Sequence, residues 1–151
     1  MCRQAYNMRL MKPLLLCLLP LLSQGSLAAS YTINLKAIGA EADQGQILCA
    51  LFSSSENYLK DSVRDAVVTV DGNGEAQCKF SDVPPGRYAV SVVYDADNDG
   101  ELDTGFLGIP KEKVGFTNNV KGRFGPPGFD KTSFELSEDL ELEVRLTEAR
   151  Q

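Results

Sequence analysis

The stretch Asp95-Ala96-Asp97-Asn98-Asp99-Gly100-Glu101-Leu102-Asp103 holds five carboxylates in nine residues, with a glycine at its sixth place. Like charges this close repel one another unless a cation or ordered hydrogen bonds hold them. Acids at places 1, 3, 5 and 9 with glycine at 6 follow most of a calcium-loop pattern. Asp95, Asp97 and Asp99 would give side-chain oxygens, Glu101 its backbone carbonyl, and Asp103 a side chain, directly or through water. These are hard oxygen ligands, suited to Ca²⁺ and poorly suited to zinc or copper. The pattern lacks its closing member, because the twelfth place is Phe106, where an EF-hand carries a bidentate Glu. The preceding residues, Arg87 to Tyr94, alternate like a strand rather than a helix. The reading is therefore a calcium loop on a β scaffold, its missing ligand supplied from elsewhere or by water. The plainer alternative is an acidic surface turn built on Asx-type hydrogen bonds.

Catalysis has little to work with. The sequence contains no His, which removes Ser-His and Cys-His nucleophiles and imidazole-bound zinc. What remains is a carboxylate pair, as in glycoside hydrolysis, drawn from Asp95, Asp97, Asp99, Glu101, Asp103 and Glu112. An acid catalyst needs a carboxyl in an apolar pocket, whereas these cluster in one hydrophilic turn. No catalytic residue is assigned, and a carboxylate-dependent hydrolase stands as the alternative. A second kind of site is a groove lined by Phe106, Phe116, Phe124 and Phe129, with Tyr94 at its root. Its ligand would be an extracytoplasmic glycan, peptide or lipid. The plainer reading of those rings is a small core under a long loop.

The elements that must carry these residues read as strands. Ile33, Leu35 and Ala37 alternate with Thr32, Asn34 and Lys36. Gln46 to Phe52 is nearly all apolar and reads as a central strand buried on both faces. Ser53 to Asp65 is polar, with room for one helical turn near Tyr58 and Leu59. Ala66–Val70 and Glu75–Phe80 flank Asp71-Gly72-Asn73-Gly74, a hairpin signal. After the breaker Val83-Pro84-Pro85-Gly86, Arg87–Tyr94 puts Tyr88, Val90, Val92 and Tyr94 on one face. Phe134 and Leu136 begin a strand joined by Ser137-Glu138-Asp139 to Leu140, Leu142, Val144 and Leu146. Seven strands with short turns imply an all-β fold, a seven-stranded antiparallel β-sandwich. One segment interrupts it. Residues 95–130 keep no period, yet carry Phe106, Leu107, Ile109, Val114, Phe116, Phe124 and Phe129. Long structureless loops are uncommon, and this one is too apolar for a free linker. It reads as an ordered excursion over one end of the sandwich, stapled by the acidic loop.

Residues 1–28 read as a secretory signal peptide: Arg3, Arg9 and Lys12, an apolar Leu14–Leu22 too short for a bilayer span, then small-residue cleavage candidates. The mature domain would be 29–151, with no second apolar segment and no expected membrane span. Without Arg3, Arg9 and Lys12 the formal net charge moves from −6 to −9. That argues against nucleic acid and anionic membranes as partners. Removal of the leader also leaves Cys49 and Cys78, each on an apolar strand face. An even pair in an exported chain reads as a disulfide, the alternative being two buried thiols.

The motifs in order resemble a known family. They are Pro84-Pro85-Gly86-Arg87-Tyr88-Ala89-Val90, Asp95 to Asp103, Phe106 to Glu112, Gly115-Phe116-Thr117-Asn118-Asn119 and Gly125-Pro126-Pro127. The chain resembles, over essentially its whole mature length, the bacterial secreted proteins grouped as domain of unknown function 2141. The resemblance implies a small β-sandwich similar to prealbumin-like and carboxypeptidase-regulatory-like modules, exported to the periplasm or beyond. It implies no activity. Relatives often carry His before the first Asp of the loop. Tyr94 stands there in this chain, so a His-dependent role does not carry over. The expected function is a non-enzymatic extracytoplasmic binding module with a calcium-stabilised loop and an unidentified ligand or protein partner. A purely structural protein without metal is a further alternative.

Overall fold

The computed structural model describes residues 28–105, 108–122 and 125–148. The expected leader up to residue 27, Phe106 and Phe124 lie outside the described residues. Strands β1 (Tyr31–Ile38), β2 (Gln46–Phe52), β3 (Arg64–Thr69), β4 (Glu75–Val83) and β5 (Gly86–Asp95) come first. They are followed by β6 (Lys113–Phe116), a 3₁₀ turn (Thr117–Asn119), the single helical turn α1 (Phe129–Thr132), β7 (Phe134–Leu136), β8 (Leu140–Arg145) and β9 (Thr147–Glu148). Three strands form one sheet in the order β4-β1-β8, and the other runs β3-β2-β5-β6-β9 with β7 also on β5. The two inner faces bury the alternating residues: Ile33, Leu35 and Ala37 of β1 against Ile47, Cys49 and Leu51 of β2, with Val90, Val92 and Val144. This is the period of two that a half-buried strand imposes. The Cys49–Cys78 disulfide joins β2 to β4, and so one sheet to the other, with Cα atoms 6.5 Å apart.

The sandwich is as expected, but two short strands, β6 within the excursion and β9 after β8, add to the seven expected, and the connections differ in three places. β1 and β8 pair in parallel, Ile33 opposite Leu140 and Ile38 opposite Arg145, so the sandwich is not wholly antiparallel. β3 and β4 are joined by the expected turn, closed by Asp71 N–H donating to Glu75 C=O at 2.8 Å, yet they belong to different sheets. β7 and β8 likewise do not pair: β7 adds to β5 and the chain crosses to β1 through Ser137–Asp139. In each case local turn chemistry is right, and sheet membership is decided by which apolar face each strand must bury.

The excursion is ordered by borrowed strand pairing. The outer edge of β5 pairs with β7 at Gly86–Tyr88 and with β6 at Ser91–Val93. Between them, Thr117 Oγ1 accepts Val90 N–H at 3.1 Å and donates to Thr132 C=O. Asn119 does the same for β8: its Oδ1 accepts Arg145 N–H at 2.8 Å and its Nδ2 donates to Glu143 C=O at 3.1 Å. Bonds to residues 143 and 145 are those a parallel strand would make across from Val144. The glycine of the same motif is required by packing, since a Cβ at Gly115 would meet Val144 Cγ1 at 2.6 Å. On the outer face of β2 and β5, Phe52, Ala89 and Phe129 form a second small core with Tyr58.

Candidate metal centre

The acidic loop begins where β5 ends. Asp95 is fully buried although it is the first acid of a hydrophilic turn. Its place follows from β2, whose Gln46 lies directly across from it and donates Nε2–H to Oδ2 at 2.7 Å. Gly45 stands beside it because any Cβ there would meet Asp95 C=O at 2.5 Å. Asn98 N–H donates to Asp95 Oδ1 at 2.8 Å and Gly100 N–H to Oδ2 at 2.9 Å. Asn98 (φ 62°) and Gly100 (φ 82°) take the left-handed conformation that folds the loop back on this carboxylate. Burial is the largest single influence on Asp95 and opposes its charge. The donors from Gln46, Gly100 and Asn98 together outweigh it and hold the carboxyl below the usual range.

Two further carboxylates are brought to Asp95. Asp97 Oδ1 accepts Asp99 N–H at 3.4 Å, and Asp99 Oδ1 accepts Glu101 N–H at 2.8 Å. These Asx bonds turn the chain so that one oxygen each of Asp95, Asp97 and Asp99 lies within 4.8 Å of the others. Each carboxylate retains unused lone pairs. Among the described residues, no Lys or Arg forms an ion pair with any of the three. Three converging carboxylates with free oxygens suit a hard divalent cation. Acid catalysis needs a carboxyl raised toward neutrality, and Asp95 is shifted the other way.

Asp103 is not part of that group of three. Its N–H instead donates to Glu112 Oε2 at 3.2 Å, while Ala96 N–H donates to Glu112 Oε1 at 3.1 Å. Glu112 thus ties together the two shoulders of the loop. It is carried there by a narrow return in which Lys111 N–H donates to Asp103 C=O at 2.9 Å and Gly105 N–H to Ile109 C=O at 2.7 Å. Sequence spacing placed Glu112 only among the loose acids and missed Gln46 and Gly45. A polar residue opening an otherwise apolar strand is the one hint that Gln46 has a partner.

The aromatic residues divide. Phe129 is buried, 5.7 Å from the Tyr58 ring and 5.5 Å beneath the Arg87 guanidinium. Phe116 is half-buried on β6, across from Ser91. Tyr94 fills the main core with Lys113 Nζ 5.9 Å from its ring centre. Phe129 therefore packs as small-core material.

Residues 35–143 match the family described as "Uncharacterized protein conserved in bacteria (DUF2141)", and the chain belongs to that family. Among curated proteins, none matches the sequence. The crystal structure of the major plantain pollen allergen Pla l 1 is similar with a TM-score of 0.30 and 10% identity, covering 82% of this chain and 98% of that one. So loose a likeness carries no argument about fold or role.

Proposed function

We propose that this member of an uncharacterised bacterial family is a non-enzymatic, exported β-sandwich module whose acidic loop is stabilised by calcium. The observation that carries this reading is the convergence of one oxygen each of Asp95, Asp97 and Asp99 within 4.8 Å, on a buried Asp95 whose donors hold its carboxyl below the usual range. Export is supported by the charged and apolar leader and by the Cys49–Cys78 bridge, which suits an oxidising compartment. Among the described residues, no helix is long and apolar enough to cross a membrane. Glu101 C=O and water would complete the ligand set, with Asp103 reaching the ion through water. With no bidentate Glu at the twelfth place, affinity should fall in the range of extracellular modules, on the order of 10⁻⁴–10⁻³ M. The module would present the sandwich and its excursion to an extracytoplasmic ligand or protein.

Calorimetric titration with Ca²⁺ and with Mg²⁺ tests the site. The reading expects calcium binding in that range, lost in the Asp97→Ala, Asp99→Ala double variant, and weaker magnesium binding. No calcium heat with the parent would overturn it. Turnover on generic hydrolase substrates, abolished by one change at Glu101, Asp103 or Glu112, would overturn the non-enzymatic half.

A further inference from the structure

Three of the exposed large apolar side chains, Leu59 (38%), Val63 (47%) and Val67 (60%), fall on β3 or the segment leading into it. β3 is also the terminal strand of the larger sheet, bonded on one side to β2. Register fixes which of its backbone groups are free. β2 and β3 pair with Gln46 opposite Thr69 and Leu48 opposite Val67, and Val70 N–H donates to Gly45 C=O at 3.3 Å. Antiparallel ladders alternate bonded and non-bonded pairs. Ala66 and Val68 therefore spend their N–H and C=O groups on β2, and Asp65, Val67 and Thr69 direct theirs to the open side. β4 does not take them. After the turn-closing bond the two strands part into different sheets; Ala66 and Val68 pack on the core shared with β4, and the Arg64 guanidinium donates to Asp82 C=O at 3.1 Å.

Exposed edges are usually guarded by proline, a bulge or an inward charge. The run Ala66-Val67-Val68-Thr69 has none of these, and its register on β2 is unbroken. We propose that β3 is a self-association edge that takes the β3 of a second copy of this chain. The strands would run antiparallel about a two-fold axis through Val67, perpendicular to the sheet. Val67 then lies opposite Val67 of the second copy, and Asp65 opposite its Thr69, so no like charges face each other. All three free residues pair at once, which is what makes the edge self-complementary. On the outer face Val114, Val93, Leu48 and Val67 already form one apolar row from strand to strand. Pairing at β3 continues that row into the second copy and removes the exposed Val67 from water. This inference is independent of the calcium reading.

Cysteine cross-linking reads the register. In a hydrogen-bonded pair the two Cα atoms are about 5.5 Å apart, inside the disulfide range. Val67→Cys should oxidise to a covalent dimer. Asp65→Cys alone should not, because its copies would be roughly 14 Å apart at the strand rise. A mixture of Asp65→Cys and Thr69→Cys should link across. Light scattering should give the parent twice the mass of one chain, falling to one chain in Val67→Lys, with its melting temperature unchanged at high dilution. A single-chain mass for the parent at every concentration would overturn the proposal. So would cross-linking at Val67 no faster than at Asp65, or an edge that captures foreign strand peptides while the chain stays monomeric.

Discussion

Asp95→Ala should be the most damaging change in the acidic loop, and should be so without metal. The side chain is fully buried and accepts three hydrogen bonds, from Gln46 Nε2–H, Asn98 N–H and Gly100 N–H. A bond to a charged acceptor is worth about 1.5–3 kcal/mol, and water can re-solvate the partly open donors. Discounted for that re-solvation to about 1 kcal/mol for each bond, the three together give a loss of roughly 3 kcal/mol. For a domain of this size that is on the order of 10 °C in melting temperature. Asp97 and Asp99 are exposed and accept one local N–H each, so Asp97→Ala and Asp99→Ala should cost under about 1 kcal/mol apiece. The assay is urea denaturation of the three variants in chelator, so that no cation contributes. Equal losses for Asp95→Ala and Asp97→Ala would refute the claim that a buried, donor-saturated carboxylate organises the loop.

Replacing both Cys49 and Cys78 by Ala opens a loop of 29 residues' separation and should cost about 3–4 kcal/mol by chain entropy, read from the urea midpoint at constant slope. An unchanged midpoint would mean the bridge does not hold the sheets. Thr117→Val keeps the shape but leaves Val90 N–H and Thr132 C=O unpaired in a buried site, a loss of about 2 kcal/mol. Hydrogen exchange should then quicken at Val90 and across 117–133, and not at 97–103; uniform quickening would contradict a local clasp. In acid the sign follows from Asp95 and Asp71, both held below the usual carboxylate range. For Asp95 burial opposes the shift and donors outweigh it, whereas Asp71 is lowered chiefly by Glu75 N–H and Asn73 N–H. Such stability is fully present above the unfolded pKa of about 3.9 and is lost as pH falls through the folded values. A melting temperature flat from pH 7 to 5 and falling below about 4 is expected, with a shallower fall in Asp95→Asn.

The strands were legible because one face of each must be buried. Alternation located β1, β5 and β8, a short apolar run located β2, and Cys49 and Cys78 fell on inward positions. What alternation does not carry is which sheet a strand joins. Asp71-Gly72-Asn73-Gly74 announces a turn, and a turn it is, but β3 and β4 satisfy different neighbours beyond it. β5 is buried on both faces because Phe52, Tyr58 and Phe129 arrive from distant parts of the chain to cover it. No local pattern records that. The loop was visible as spacing, since Asp95, Asp97 and Asp99 repeat every second residue and Gly100 occupies the turn. Its support was not visible, because Gln46 and Glu112 reach it across the fold. The segment Thr117-Asn118-Asn119 had no period to read. Its side chains stand in for the backbone of missing strands, a role that depends wholly on where β5 and β8 lie.

The most direct test of the central claim is the melting temperature of the parent in millimolar calcium and in chelator. Binding the folded state alone adds RT ln(1 + [L]/Kd), about 1 kcal/mol at these affinities. A rise of roughly 3–5 °C in calcium is expected, absent in the Asp97→Ala, Asp99→Ala variant. An identical melting temperature in both solutions for the parent would contradict the account and leave the acidic turn as a solvated surface loop.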